Sequence, residues 1–260
     1  MDLQLAGKTI IVTGSSSGIG AAIAKAAYDE GANVMLHGTK EAVLQEKAAE
    51  LGPRANWVAA DLADVKSASV IANKTKDVFG TIDGLVNNAG VFPRSSVDTD
   101  VPEHFDFVFH VNVRSPLMLT QELVKVCREE SKAGSVVNIG SINAHCGAPF
   151  LLMYAMSKGA MMTMSRNLGD ALGIEKIRVN QLNVGWTYTE GERKIQADAG
   201  APDDWQDHLS PLAAPSGKLL QPEDVAAHAV FWLSPLSAPV NGTIHTVEQF
   251  PMTGRNRNSG

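Results

Sequence analysis

Short runs of apolar and β-branched residues recur along this chain, alternating with longer stretches in which apolar positions return every three or four residues. The short runs predict strands at 9–13, 33–37, 56–60, 84–87, 135–140, 178–183 and 243–247. Most are apolar at successive positions, as in a sheet covered on both faces. The longer stretches predict helices at 19–30, 41–51, 65–79, 102–130, 154–172 and 223–233. Strand and helix take turns for most of the chain, the βαβ pattern of parallel sheets. That pattern fits an open doubly wound sheet or an eight-stranded barrel. Seven strands, with a glycine-rich turn directly after the first, favour the open sheet. The expected fold is α/β: a doubly wound seven-stranded parallel sheet with helices on both faces, in a single domain spanning 1–260.

Local signals sharpen two helix ends. Gly31 follows the first helix, where a residue tolerant of the left-handed turn is favoured. Pro222, Glu223 and Asp224 supply the first-turn proline and the acidic charge that suit a helix N-terminus. Two segments break the alternation: 186–217, rich in Pro, Gly, Ala and charge, and the tail 249–260. The first is too long for a routine turn and is expected to form a lid over a site. For the tail, order and disorder are equally open.

Composition narrows the function classes. Hydrophobic residues make up 44% and aromatic residues 6% of the 260, an ordinary soluble make-up able to bury a sizeable core. Lys and Arg number 22 against 28 Asp and Glu, a charge of −6 scattered along the chain, so no basic stripe offers itself to nucleic acid. The longest apolar stretch, near 148–156, contains Pro149 and falls far short of the roughly 20 residues of a spanning helix, so no membrane partner is expected. An acid at position 2 and direct entry into a strand argue against a secretory leader and for a cytoplasmic location. Cys127 and Cys146 belong to no CxxC or Cys/His cluster, which predicts two reduced thiols and no metal site.

The turn after the first strand reads Thr13-Gly14-Ser15-Ser16-Ser17-Gly18-Ile19-Gly20 and opens the first helix. Glycines at such a turn let backbone approach a pyrophosphate seated on the helix N-terminus. Gly14, Ser15, Ser16, Gly18, Ile19 and Gly20 are therefore candidates for holding a dinucleotide. Further on, Tyr154 and Lys158 stand at i and i+4 of a predicted helix, so both project from one face. A nearby cation favours the phenolate and moves a tyrosine's pKa from about 10 toward neutrality, where acid/base work is most efficient. Such a pair alone is more often a solvated helix face; the glycine turn and Ser141 reverse that reading.

Together, TGSSSGIG, Asn87-Asn88-Ala89-Gly90, Asn112, Ser141 and the run Tyr154-Ala155-Met156-Ser157-Lys158 resemble the classical short-chain dehydrogenase/reductase family, whose fold is Rossmann-type. Ser141 stands thirteen residues before Tyr154, every motif is in the family's order, and the resemblance runs from Gly7 to about Val247. It implies an NAD(P)(H)-dependent oxidoreductase that interconverts a secondary alcohol and a carbonyl. Tyr154 would be the acid/base, Lys158 would tune it and bind the nicotinamide ribose, Ser141 would hold the substrate oxygen, and Asn112 would support a proton relay through water. Asp61 resembles the residue that bonds the adenine amino group, with Leu62 a backbone contact beside it. Asn88, Ala89 and Gly90 resemble the turn that packs against the adenosine ribose. Where the family usually shows Asn-Pro-Gly, Asn183-Val184-Gly185 lacks the proline, which loosens the turn. Thr189 matches the threonine that contacts the carboxamide, with Gly185 and Thr187 as neighbours. Family members are commonly tetramers that pair the long helices, here 102–130 and 154–172, so a homotetramer is implied.

An Asp ending the second strand would bind the ribose 2′-hydroxyl of NAD and repel the 2′-phosphate of NADP. This chain has Gly38 there, followed by Thr39 and Lys40, which with Ser15 could hold a phosphate, so NADP(H) is favoured over NAD(H). The local clues to substrate are Asn143, His145, Arg94, Trp186, Glu190, Glu192 and Arg193. A polar set with one aromatic plate suits a sugar, polyol or sugar acid better than a steroid or a long acyl chain. Ser141, Asn143, His145, Tyr154, Trp186 and Glu190 are the expected substrate contacts of this small-molecule enzyme. Two alternatives stay open. A 3-oxoacyl-thioester reductase is weakened by Glu248-Gln249-Phe250-Pro251 in place of that group's Gly-Gly turn, and a dinucleotide-binding sensor would have no need of Tyr154, Lys158 and Ser141. An epimerase or dehydratase on the same fold would ordinarily be longer.

Overall fold

The computed structural model describes residues 1–145 and 148–251. Its strands are β1 (Thr9–Val12), β2 (Asn33–Gly38), β3 (Ala55–Ala59), β4 (Gly84–Asn87), β5 (Gly134–Ser141), β6 (Ile177–Val184) and β7 (Ile244–Val247). They form one parallel sheet in the order β3-β2-β1-β4-β5-β6-β7. All seven expected strands are present, each displaced by no more than a residue at either end. Sequence order reverses between β1 and β4, so the loops after these two strands part and leave a crevice at their C-terminal ends.

The helices are α1 (Gly18–Asp29), α2 (Glu41–Leu51), α3 (Ser67–Phe79), α4 (Pro102–Phe109), α5 (Ser115–Glu129), α6 (Leu152–Leu172), α7 (Glu190–Asp198) and α8 (Pro222–Leu233). Alternation along β1 splits the core in two. Ile10 and Val12 pack with Leu36 and Val86 under Ile23 of α1, Leu44 of α2 and Val225 of α8. Ile11 packs with Met35, Leu85, Val136 and Val179 under Ile71 of α3, Leu119 and Leu123 of α5 and Leu172 of α6. Each such side chain contributes about 1.5–3 kcal/mol by leaving water. Toward the C-terminal ends of the strands this second face turns polar while staying buried: Leu85 gives way to Asn87, Val136 to Asn138, and Val179 to Gln181 and Asn183.

The single helix expected over 102–130 is interrupted. A π turn, His110–Arg114, separates α4 from α5, and the Ser115 N–H donates to the His110 carbonyl five residues back. Pro116 has no N–H to give the carbonyl four residues before it, that of Asn112, so a regular α ladder cannot run through. At α8 the expected end signals are in place: the Asp224 carboxylate accepts from the Gln221 N–H at 2.8 Å. The buried Arg178 guanidinium closes the other end by donating to the carbonyls of Trp232, Leu233 and Ser234. Gly31 adopts the expected left-handed conformation, with φ +90°.

The segment 186–217 holds α7 and a 3₁₀ turn, Trp205–His208, with Trp186 stacked on Trp205 at 5.5 Å between ring centres. Most of the expected tail, 252–260, and Cys146 lie outside the described residues. Cys127 is free and buried. Among the described residues no helix is long and apolar enough to cross a membrane.

Candidate active site

After β1 the chain turns through Gly14 (φ +63°) and Gly18 (φ +55°), left-handed conformations that other residues rarely adopt. Gly20 is needed for a different reason: a Cβ there would lie 2.2 Å from the Gly14 oxygen and 2.4 Å from Asn88 Nδ2. The start of α1 is thus pressed against the turn. No side chain caps this helix and its first turn carries no acid, which leaves its N–H groups and positive dipole end for an anion. The loop after β4 is stitched to the same turn. Asn88 Nδ2 donates to the Thr13 and Gly14 oxygens (2.9 and 3.1 Å), and the Asn88 and Ala89 N–H groups both donate to Thr13 Oγ1 at 3.0 Å. A glycine cradle that a Cβ would fill, beside an uncapped helix N-terminus at the switch point, fits a dinucleotide.

His37 on β2 holds this cradle in place. Only 2% exposed, it accepts the Gly14 N–H at Nδ1 (3.4 Å) and donates from Nε2 to the Ala60 oxygen (3.1 Å). Accepting at Nδ1 requires the neutral ring, and burial pushes its pKa down to about 4. A histidine between Leu36 and Gly38 in an otherwise apolar strand was a signal the sequence reading passed over.

Ser15 is committed to the same strand: its N–H donates to the His37 oxygen and its Oγ accepts the His37 N–H, both at 2.9 Å. It therefore does not join Thr39 and Lys40 as expected. Ser16 stands there instead, its Oγ 3.5 Å from where a Gly38 Cβ would be, with Thr39 and Lys40 exposed beside it. Asp61 is exposed and accepts the Ala63 N–H at 2.9 Å, while Leu62 is buried.

Ser141 ends β5, and Tyr154 and Lys158 project from α6 on one face. All three line a cavity of about 950 Å³. Lys158 is 3% exposed; its Nζ donates to the Ile139 oxygen at 2.7 Å and lies 5.7 Å from the centre of the Tyr154 ring. Burial pulls its pKa down to about 8. Burial also pushes the Tyr154 phenol up, and a hydrogen bond with Ser141 offsets this only in part. Desolvation thus sets the direction for both groups, each being held toward its neutral form.

Asn112 is fully buried in the π turn. Its Oδ1 accepts the Val91 N–H (2.8 Å), and its Nδ2 donates to the Val91 oxygen (2.8 Å) and Ser157 Oγ (3.0 Å). The side-chain amide is thereby occupied in tying the loop after Gly90 to α6. A Cβ on Gly90 would come within 3.5 Å of Lys158 Nζ.

The remaining walls combine Phe92, Phe150 and Trp186 with Asn143, Arg94 and Glu192. Of the expected substrate contacts, Asn143 and Trp186 line this cavity with Ser141 and Tyr154. Glu190 does not: it lines a separate cavity of about 420 Å³ with Lys47. Residues two apart on a helix project about 200° apart, so on α7 it is Glu192, with Ile195 and Gln196, that faces Ser141's cavity. His145 is also elsewhere, accepting from Asn183 Nδ2 at 3.2 Å.

Glu192 Oε1 accepts from Trp186 Nε1 (2.9 Å) and Gln196 Nε2 (2.7 Å). Thr189 caps α7 by accepting the Glu192 N–H (3.0 Å), and its methyl lies 3.5 Å from a Cβ built on Gly18. Thr187 is buried, and Gly185 has no room for a Cβ beside the Glu248 carboxylate. Arg94 stacks on Phe150 at 4.4 Å.

Known proteins resemble this chain over nearly its whole length. A family model described as enoyl-(acyl carrier protein) reductase matches residues 14–249. An L-rhamnose 1-dehydrogenase (NAD(P)(+)) of Sphingomonas sp. is 32% identical over 252 residues, 94% of this chain and 96% of that protein. A 3alpha-hydroxysteroid dehydrogenase of Mediterraneibacter gnavus is 31% identical over 255 residues, 95% of this chain and 98% of that protein. The L-sorbose reductase of Gluconobacter frateurii, solved with NADPH and L-sorbose, superposes with a TM-score of 0.90 at 29% identity, covering 98% of this chain and 100% of that one.

Proposed function

The chain belongs to the classical short-chain dehydrogenase/reductase family, and on that premise we propose that it interconverts a secondary alcohol and a carbonyl on a polyhydroxylated small molecule. The substrate class is a sugar, polyol or sugar acid, Tyr154 is the acid/base, and NADP(H) is preferred over NAD(H). The observation that carries this reading is the convergence of Ser141, Tyr154 and a buried Lys158 on one cavity at the switch point.

A bound nicotinamide supplies hydride transfer, with Gly14, Ser16, Gly18, Ile19, Gly20 and the Asn88–Gly90 loop holding the dinucleotide. The Ser141 hydroxyl orients the substrate oxygen, and the Tyr154 hydroxyl gives that oxygen a proton in reduction and takes it back in oxidation. Lys158 sets a positive charge behind the phenol, where it stabilises the phenolate left when the proton departs. Asn112 keeps the neighbouring loop in place, and a proton relay through water runs past it, the role the family resemblance implies.

The polar walls support the polyhydroxylated class. A hydrocarbon skeleton would take Asn143 and Arg94 out of water without replacing its hydrogen bonds, which weighs against the steroid that one relative's name specifies. The names of the rhamnose and sorbose enzymes point the same way. Support for NADP(H) is local: Gly38 puts no carboxylate beside Ser16, and Lys40 is exposed next to it. The segment 186–217 acts as the lid, its Trp186 and Glu192 forming one wall. Exposed Phe105 and Phe107 on α4 and Met156 on α6 supply apolar surface for a homotetramer, which a sedimentation profile of monomer alone would exclude.

The test follows reduced-nicotinamide absorbance while the protein meets sugars, polyols, sugar acids, a steroid and an acyl thioester, with each cofactor in turn. Turnover of a polyhydroxylated compound, fastest with NADP(H), is expected. Turnover of the steroid or thioester alone would overturn the substrate class.

A further inference from the structure

A line of buried amides runs from the middle of the sheet to the turn that follows Ser141. Asn87 Nδ2 donates to Asn138 Oδ1 (2.8 Å), and Asn138 Nδ2 donates to Ser165 Oγ (2.8 Å). Ser165 Oγ donates to Gln181 Oε1 (2.9 Å), its proton shared with the Met161 oxygen (2.8 Å). Gln181 Nε2 donates to Asn183 Oδ1 (2.7 Å), and Asn183 Nδ2 donates to His145 Nε2 (3.2 Å). The five members before His145 are at most 1% exposed and come from β4, β5, α6 and β6. Every link donates in the same direction, so each bond polarises the next. At the head, Asn87 Oδ1 has no partner among the described residues; at the far end, His145 is exposed. Accepting at Nε2 places the His145 proton on Nδ1.

Gly140 lets this line pass. It pairs with Asn183 across the sheet, and a Cβ there would lie 2.3 Å from Asn183 Oδ1 and 2.4 Å from Gln181 Nε2. The crossing therefore occurs at the residue directly before Ser141. Beyond it, Ser141 Oγ accepts the Asn143 N–H (3.1 Å) and the His145 N–H donates to the Ile142 oxygen (3.2 Å). One short turn thus carries Ser141 and Asn143 into the cavity and is pegged to β6 through His145. Apolar residues would fill the same space without the risk of an unpaired amide, which costs about 1–3 kcal/mol. A polar line bonded at each step from Asn138 to His145 instead selects a single arrangement.

We propose that this line is the positioning device for the Ser141 turn. Gln181, Asn183 and His145 are positioning residues that set the Ser141 hydroxyl and the Asn143 side chain against the substrate. The role rests on the reading of Ser141 given above. It also accounts for the missing proline at position 184: Asn183, bonded at both ends of its amide, supplies the stiffness that a ring would bring to Asn183-Val184-Gly185.

His145 is exposed, so its variants are expected to fold. His145→Leu removes the acceptor and His145→Gln restores one. In His145→Leu, amide hydrogen exchange at Asn143 is expected to run about tenfold faster, the equivalent of one hydrogen bond. On an accepted substrate kcat falls by a similar factor while KM and the cofactor's Kd stay put, and His145→Gln returns both exchange and kcat to the parent values. Adding Gln181→Leu to His145→Leu accelerates exchange no further, because the links act as one. Unchanged exchange in His145→Leu, faster exchange with unchanged kcat, or effects that multiply in the double variant would each overturn the proposal. Faster exchange in a protein that turns over none of the offered compounds supports the positioning role and overturns the reaction reading instead.

Discussion

The Lys158 ammonium donates to the Ile139 carbonyl at 2.7 Å, fastening the middle of α6 to β5 two residues before Ser141. That placement comes at a cost to the fold. The Lys158 pKa is lowered from 10.5 to about 8, so between these values the unfolded chain keeps a proton that the folded one has released. Stability therefore rises with pH across that window, and below it the full penalty, about 3 kcal/mol, stands. Lys158→Met is expected to be inactive yet more heat-stable at pH 7, by a net of about 2 kcal/mol once the lost Ile139 bond is allowed for. That corresponds to about 4 °C or more in Tm for a chain of this size. Melts at pH 7 and above pH 10 check the sign: the advantage should shrink at the higher pH.

Tyr154→Phe removes the hydroxyl proposed to exchange a proton with the substrate oxygen. Turnover should fall by about 10²–10⁴ or more while cofactor affinity, read by titration, is retained. Burial holds the phenol above its ordinary pKa, so alcohol oxidation, which needs the phenolate, should climb with pH through the neutral range. Carbonyl reduction should not. A flat oxidation profile would remove Tyr154 from its role.

His37 gives the protein an acid-sensitive point at the glycine turn. Its pKa is lowered from 6.5 to about 4, so as pH falls between these values the unfolded chain takes up a proton that the folded one refuses. Stability is present in full above 6.5, declines through the window by up to about 3 kcal/mol, and levels off below it. His245, lowered by burial and by His228, adds to the loss in the same sense. Urea unfolding at pH 7 and pH 4.5 should show a smaller difference for His37→Gln than for the parent; equal differences would refute the assignment.

Gly38→Asp should reverse cofactor preference. A Cβ at this position meets only ordinary contacts, Leu44 Cδ2 and Ser16 Oγ both at 3.5 Å, so the side chain is accommodated. Its carboxylate would accept from a ribose hydroxyl and repel a 2′-phosphate. The ratio of apparent affinities for NADP(H) and NAD(H) should move toward NAD(H) by at least about tenfold, or 1.4 kcal/mol.

Periodicity was enough to find the sheet, because strands such as β1 and β4 are buried on both faces and leave no ambiguity of pattern. Tyr154 and Lys158 were legible because they stand one helical turn apart, and Ser141 through the family resemblance, thirteen residues before Tyr154. What escaped was phase and competition. Glu190 and Glu192 differ in nothing the sequence displays; only the turn on which Thr189 caps α7 decides which acid meets the cavity. Ser15 and Ser16 are likewise equivalent until His37 claims the first. The break at His110–Arg114 had a visible cause in Pro116, overlooked because apolar spacing continues through it.

Gly140 has a consequence for how this sequence can change over generations. The space a methyl group would occupy there already belongs to the Gln181 and Asn183 amides, so a side chain can be acquired at 140 only in a background where both have been replaced by something smaller. Positions 140, 181 and 183 are thus inherited as a block, and relatives bearing any residue larger than glycine at the first should carry shorter residues at the other two.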